Sequence, residues 1–163
     1  MNRAVLSLLV SNHFGVLTRI TSLFSQRGFN IDTVAAGVTE NPQFSRITVT
    51  TSSEPKTVNQ IKLQLAKLED VKVVQEIPDE QLFIREVALI KIEPAKEQVE
   101  NFEKAVRDFG GRTQIIQDGC YIVQITDTPA TIDYFIEELR EFHIKEISRT
   151  GGAALQLSSE TVY

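Results

Sequence analysis

The sequence predicts an α+β protein of two consecutive βαββαβ units, each an antiparallel sheet carrying its helices on one face. Three observations lead there. Apolar residues recur at helical spacing in four separate stretches. Short runs rich in β-branched residues flank those stretches in the same order in both halves. Between the halves, Ile77-Pro78-Asp79-Glu80-Gln81 is polar, acidic and broken by proline, as a domain boundary is. The 163 residues suffice for one ordinary domain or two small ones.

Residues 4–10 (AVLSLLV) have the length and composition of a largely buried strand. The turn Ser11-Asn12-His13-Phe14-Gly15-Val16-Leu17 follows. Val16, Leu17, Ile20, Leu23 and Phe24 then recur at helical spacing, so the first helix begins inside or just after that turn. Asn12 is a candidate N-cap. Gly28 stops the helix, and Phe29-Asn30-Ile31 opens a second strand over 31–40 with small Ala35-Ala36-Gly37 at its centre. Asn41-Pro42 turns the chain. In the third strand, 44–51, Ile47 and Val49 alternate with Arg46, Thr48 and Thr50. Ser53 or Glu54 with Pro55 starts the second helix, whose stripe is Val58, Ile61, Leu65 and Leu68. Residues 71–74 make a short fourth strand.

Beyond the boundary, 83–93 (FIREVALIKIE) is a long strand. A helix follows Pro94 with stripe Val99, Phe102, Val106 and Phe109, ended by Gly110-Gly111. Strands 112–117 and 120–126 meet at the hairpin dipeptide Asp118-Gly119. Thr128-Pro129 opens a helix with stripe Ile132, Phe135, Ile136 and Leu139; 144–148 is a strand, and 152–157 a candidate further one. Two such units are two ferredoxin-like layers, with boundaries at 1–77, a linker 78–82, and 83–163. The first strand is apolar on both faces: Ala4, Leu6, Leu8 and Val10 against Val5 and Leu9. In the second, Ile31 and Ala35 lie opposite Val34, Ala36 and Val38. Two-sided apolar strands predict burial on both faces, which a symmetric dimer achieves most simply.

Composition narrows the function. Hydrophobic residues make up 42% of the chain, enough for packed cores. No apolar run approaches the ~20 residues of a bilayer span, and the N-terminus lacks a signal-peptide stretch, so a cytoplasmic protein away from membranes is expected. The net charge of −5 argues against nucleic-acid binding. It is unevenly spread: residues 1–76 hold eight Lys+Arg against six Asp+Glu, and the remainder nine against sixteen. An RNA-recognition module would need exposed aromatics on its central strands. The first strand has none, and the third only Phe44 at its edge.

No catalytic or metal constellation is evident. The single Cys120 excludes an intramolecular disulfide and reads as a buried structural thiol in an apolar strand. His13 and His143 lie one in each half without partners at metal-ligand spacing. Glu137-Glu138 and Glu97, Glu100 and Glu103 fall off their helices' apolar stripes and read as solvated faces. The turn after the first strand carries more chemistry. A helix start offers unpaired N–H groups and the positive end of the dipole, a site for a carboxylate. Gly15 lets a ligand approach the backbone. Taken alone, Asn-x-x-Gly here also fits a plain cap and turn.

The stretch LSLLVSNHFGVLTRITSLFSQRGFNIDTV resembles the ACT domain of the small, regulatory subunit of acetolactate (acetohydroxyacid) synthase. The resemblance continues through PQFSRITV, matching the family's SR-x-T/V pattern, into IREVALIKI and HIKEISRTGGAAL, similar to its I-x-E-x-x-R-[ST]-G close. It implies a non-catalytic subunit that activates a catalytic subunit in branched-chain amino-acid biosynthesis. Thiamine diphosphate, a flavin (FAD) and magnesium would belong to that partner, and no cofactor to this chain. It implies feedback inhibition by valine, and a homodimer through ACT domains with effector sites at the interface. Asn12, His13, Phe14, Gly15, Val16 and Leu17 would line one side of each site, with Asn30 and Ile31 of the neighbouring protomer on the other. Phe14 departs from the small residue or proline usual at its position. The carboxylate would meet the amides of Gly15 to Leu17, the ammonium the amide oxygens of Asn12 and Asn30, and the isopropyl group Val16, Leu17 and Ile31. A stand-alone amino-acid-sensing ACT protein is the alternative.

Overall fold

A computed structural model describes residues 2–115 and 119–159. The first unit runs to Phe83 and takes back the chain from Gly152 onward; the second is Ile84–Gly151. In the first, β1 (Asn2–Ser11), α1 (Val16–Gln26), β2 (Thr33–Val38), β3 (Phe44–Ser53), α2 (Pro55–Leu65) and β4 (Val71–Ile77) follow in sequence. Their sheet is antiparallel, in the order β2-β3-β1-β4. β5 (Leu82–Ile92), α3 (Val99–Asp108), β6 (Arg112–Ile115), β7 (Tyr121–Asp127), α4 (Pro129–Glu138) and β8 (Ile144–Arg149) make the second βαββαβ set, in the order β6-β7-β5-β8. A further strand, β9 (Ala153–Gln156), pairs with β5. The predicted α+β class, two antiparallel sheets and four helices, is what the chain adopts.

Each helical stripe packs on its own sheet. Val16, Ile20 and Phe24 of α1 and Val58, Ile61 and Leu65 of α2 bury against Leu6, Leu8, Val10, Ile47 and Val49. In the second unit Phe102, Val106, Ile132 and Phe135 bury against Ala88, Ile90, Ile92, Val123 and Ile125. The Phe102 ring lies 5.0 Å from Tyr121 and 5.8 Å from Phe142, centroid to centroid. Each such fully buried ring is worth about 1.5–3 kcal/mol of transfer free energy.

Several expectations shift. The second strand starts at Thr33, because Asn30 and Asp32 are engaged with each other and with β3. The fourth runs past its expected end at 74 to Ile77, the last residue before the expected linker. α3 starts at Val99 after a 3₁₀ turn, Lys96–Gln98. Cys120 is half-buried and precedes β7 rather than sitting inside a strand. The strand expected over 112–117 is described only to Ile115, and Asp118 of the expected hairpin lies outside the described residues. The second face of β1 needs no dimer to bury it. Val5, Ser7 and Leu9, on the face away from α1 and α2, are already 2%, 0% and 4% exposed in the single chain. β9 packs beside β1, and Gln75 Nε2 on β4 donates to Gln156 Oε1 on β9, so the chain's own C-terminal strand helps cover that face. Val34 and Val38, at the β2 edge, are among the apolar side chains left exposed.

Candidate functional site

The β1–α1 turn is built by Gly15. Its φ of +88° and ψ of −9° are left-handed, and it occupies the cap position of α1. That conformation costs an L-residue roughly 1–2 kcal/mol. A Cβ built on Gly15 would meet no atom within 4 Å, so backbone handedness, not crowding, demands glycine, and the space before the turn is open. No side chain caps α1; its first intrahelical bond runs from Arg19 N–H to Gly15 O at 3.0 Å. The first-turn amides are therefore available to an anion. Val16 is buried beneath them, while Leu17 is partly exposed and Phe14 fully so, at 101%.

Asn12 is not the cap. Its Nδ2 donates to Pro42 O at 2.9 Å, its Oδ1 accepts from Ser45 Oγ at 3.0 Å, and its N–H donates to Gln43 O at 2.8 Å. It fastens the turn to the β2–β3 hairpin instead, and its amide oxygen retains a second lone pair. The cap expectation failed because these partners lie some thirty residues on in sequence, beyond any local pattern.

Two residues that the sequence reading did not single out, Asp70 and Arg19, hold the same turn. Asp70, on the α2–β4 connection, is buried, with an 11% exposed side chain. Its Oδ1 lies 2.8 Å from His13 Nε2, its Oδ2 accepts from Arg19 Nη1, and its backbone oxygen accepts from Ser11 N–H at 2.9 Å. His13 Nδ1 lies 3.1 Å from Phe14 O.

Asn30 and Ile31 lie at the other end of the sheet. Thr51 Oγ1 donates to Asn30 O at 2.7 Å, and Asn30 Nδ2 donates to Asp32 Oδ1 at 2.8 Å. Asn12 is tied to Ser45 and Asn30 to Thr51, six residues apart along β3, or about 20 Å at strand rise. Within one chain, then, Asn12 to Leu17 come together, and Asn30 and Ile31 do not join them. Among the described residues no group of His, Cys, Asp and Glu could hold a metal, and no helix is long and apolar enough to cross a membrane.

Comparison with known proteins follows the two units. A family model described as "AHAS small subunit-like ACT domain" matches residues 6–73, and one described as "Small subunit of acetolactate synthase" matches 85–158. The chain is 38% identical over 152 residues to the acetolactate synthase small subunit of Buchnera aphidicola subsp. Baizongia pistaciae, covering 93% of this chain and 96% of that one. It is 34% identical over 154 residues to the acetolactate synthase isozyme 3 small subunit of Escherichia coli, covering 94% of each. Among solved structures, the acetolactate synthase small subunit from Thermotoga maritima superposes with a TM-score of 0.87 at 33% identity, covering 96% of this chain and 98% of that one.

Proposed function

The chain belongs to the family of acetolactate synthase small subunits, and from that premise we propose that it is a regulatory subunit that binds valine at the start of α1. Valine binding there inhibits a catalytic acetolactate synthase subunit that this chain otherwise activates. The observation that carries the reading is Gly15: left-handed, open in front, and opening a helix that no side chain caps. The ligand's carboxylate accepts from the first-turn amides. Its ammonium donates to the remaining lone pair of Asn12 Oδ1, and its isopropyl group lies against Leu17. Thiamine diphosphate, flavin and magnesium belong to the catalytic subunit, and this chain supplies no reacting group.

The second wall of the site comes from another copy. β2 is an edge strand whose exposed Val34 and Val38 invite pairing. An antiparallel two-fold pairing of β2 with its copy reverses the strand direction across the seam. The Asn12 end of one protomer then lies alongside the Asn30 end of the other. The stand-alone sensor is not favoured, since the match to small subunits continues through residues 85–158.

Calorimetric titration of valine, leucine and isoleucine tests the site. Gly15→Asp puts a carboxylate where the ligand's own belongs, while Gly15→Asn imposes similar left-handed strain without charge. Valine binding is lost in Gly15→Asp and retained, though weakened, in Gly15→Asn. Unchanged valine affinity in Gly15→Asp overturns the assignment.

A further inference from the structure

We propose that His13 is a proton-responsive positioning residue of this turn, so that affinity for an amino-acid carboxylate at the α1 start follows the charge on its imidazole. The inference rests on the amino-acid-binding reading above and deepens it. His13 bridges two groups that can only accept hydrogen bonds. One is the Asp70 carboxylate, 2.8 Å from Nε2; the other is the Phe14 carbonyl oxygen, 3.1 Å from Nδ1. A neutral imidazole carries one N–H and serves one of them; an imidazolium serves both.

The surroundings fix which bond yields. Asp70 is anchored through Ser11 N–H and Arg19, and its side chain is largely buried, so it does not swing away from the ring. The charged groups facing His13 are Asp70, from the connection before β4, and Arg19, from α1, on the same carboxylate. From β4, Lys72 Nζ donates back to Glu69 O on that connection at 2.9 Å. When the ring loses a proton, the remaining N–H stays with the carboxylate, and the tie to Phe14 O is released. Phe14 directly precedes Gly15, so the released carbonyl loosens the residue that sets the helix start. The positive charge beside an anion site disappears in the same step. Both changes have one sign: carboxylate affinity is highest with His13 charged and falls as pH rises across the range where histidines titrate, about 5–8.

The test needs no ligand in its first arm. Amide shifts of Gly15, Val16 and Leu17 and the His13 ring signal are followed by NMR across about pH 5–8.5 in the full chain, with His143 as internal control. The three amides titrate with the midpoint of His13. They fall silent in His13→Gln. In the second arm, valine binds about two- to five-fold more tightly at the acid end than at the alkaline end, the range of a charge near a helix start, and His13→Gln abolishes that dependence. Amides that ignore the His13 titration, or that titrate unchanged in His13→Gln, overturn the proposal. If valine fails to bind at any pH, the functional reading falls, while the amide titration still decides the role of His13.

Discussion

The buried pair formed by Glu86 and Arg149 allows a quantitative prediction for the second unit. The Glu86 side chain is 1% exposed, yet its carboxylate takes two parallel bonds from Arg149: Nε to Oε1 at 2.9 Å and Nη2 to Oε2 at 2.8 Å. Gly151 N–H adds a third at 3.2 Å, and Arg149 Nη1 reaches out to Asp133 on α4. Hydrogen bonding to Glu86 holds the guanidinium pKa above the ordinary arginine range, so Arg149 stays charged. Arg149→Met keeps much of the side-chain bulk and strands the carboxylate with one N–H. Removing one partner of a buried pair costs about 3–5 kcal/mol. Arg149 is 31% exposed, so water reaches the vacated side and the lower figure, about 3 kcal/mol, applies. Denaturant unfolding by tyrosine emission reads this unit, since both described tyrosines, Tyr121 and Tyr134, lie in it. Glu86→Gln combined with Arg149→Met recovers most of the loss by removing the stranded charge. A loss below about 1 kcal/mol, or a double variant no better than the single, refutes the claim that this pair ties β8 to β5.

Two smaller perturbations test other parts of the molecule. Val38→Glu, at a 62% exposed position on the β2 edge, puts like charges across the proposed two-fold seam. It lowers the sedimenting mass to that of a monomer with the far-UV spectrum unchanged; a variant that remains dimeric would move the seam elsewhere. Glu93 and Glu146 are held below the usual carboxylate range by hydrogen bonds from Lys145 at 2.7 Å and Lys91 at 2.6 Å. Depressed carboxylates stabilise above their unfolded pKa, and that contribution is lost as pH falls through the folded one. Replacing both lysines by methionine therefore lowers melting slightly at neutral pH and not at all well below pH 4.5; a difference persisting in acid would point to packing of the lysine stems.

The elements were legible because their periodicities are local. Val58, Ile61 and Leu65 mark one face of α2, and Ile47 and Val49 one face of β3, without knowledge of any neighbour. The family likeness rested on the same short stretches and holds over both units. What could not be read depends on partners distant in sequence. His13 meets Asp70 across 57 positions, so no local spacing marks the pair. Asn12 has the residue type and position of a cap, but a left-handed Gly15 starts the helix later and frees Asn12 for the hairpin. The burial of Val5 and Leu9 was legible in their apolarity, while the strand that helps cover them comes from the far end of the chain.

The separation of Asn12 from Asn30 constrains the proposed regulation more than any single contact does. A lone protomer offers a ligand the α1 amides and Asn12, but Asn30 and Ile31 are held about 20 Å away along β3, at the opposite end of the sheet. If the ligand touches both sets, it touches two copies, and a two-fold seam supplies two identical sites. Ligand affinity and pairing are then one linked equilibrium: whatever valine gains from a formed seam, the seam gains from valine, because the coupling free energy is reciprocal. A coupling in the usual range of about 1–3 kcal/mol changes affinity about 5- to 150-fold. On the proposed reading, repositioning of the two copies at that seam is how the ligand would act on a catalytic partner.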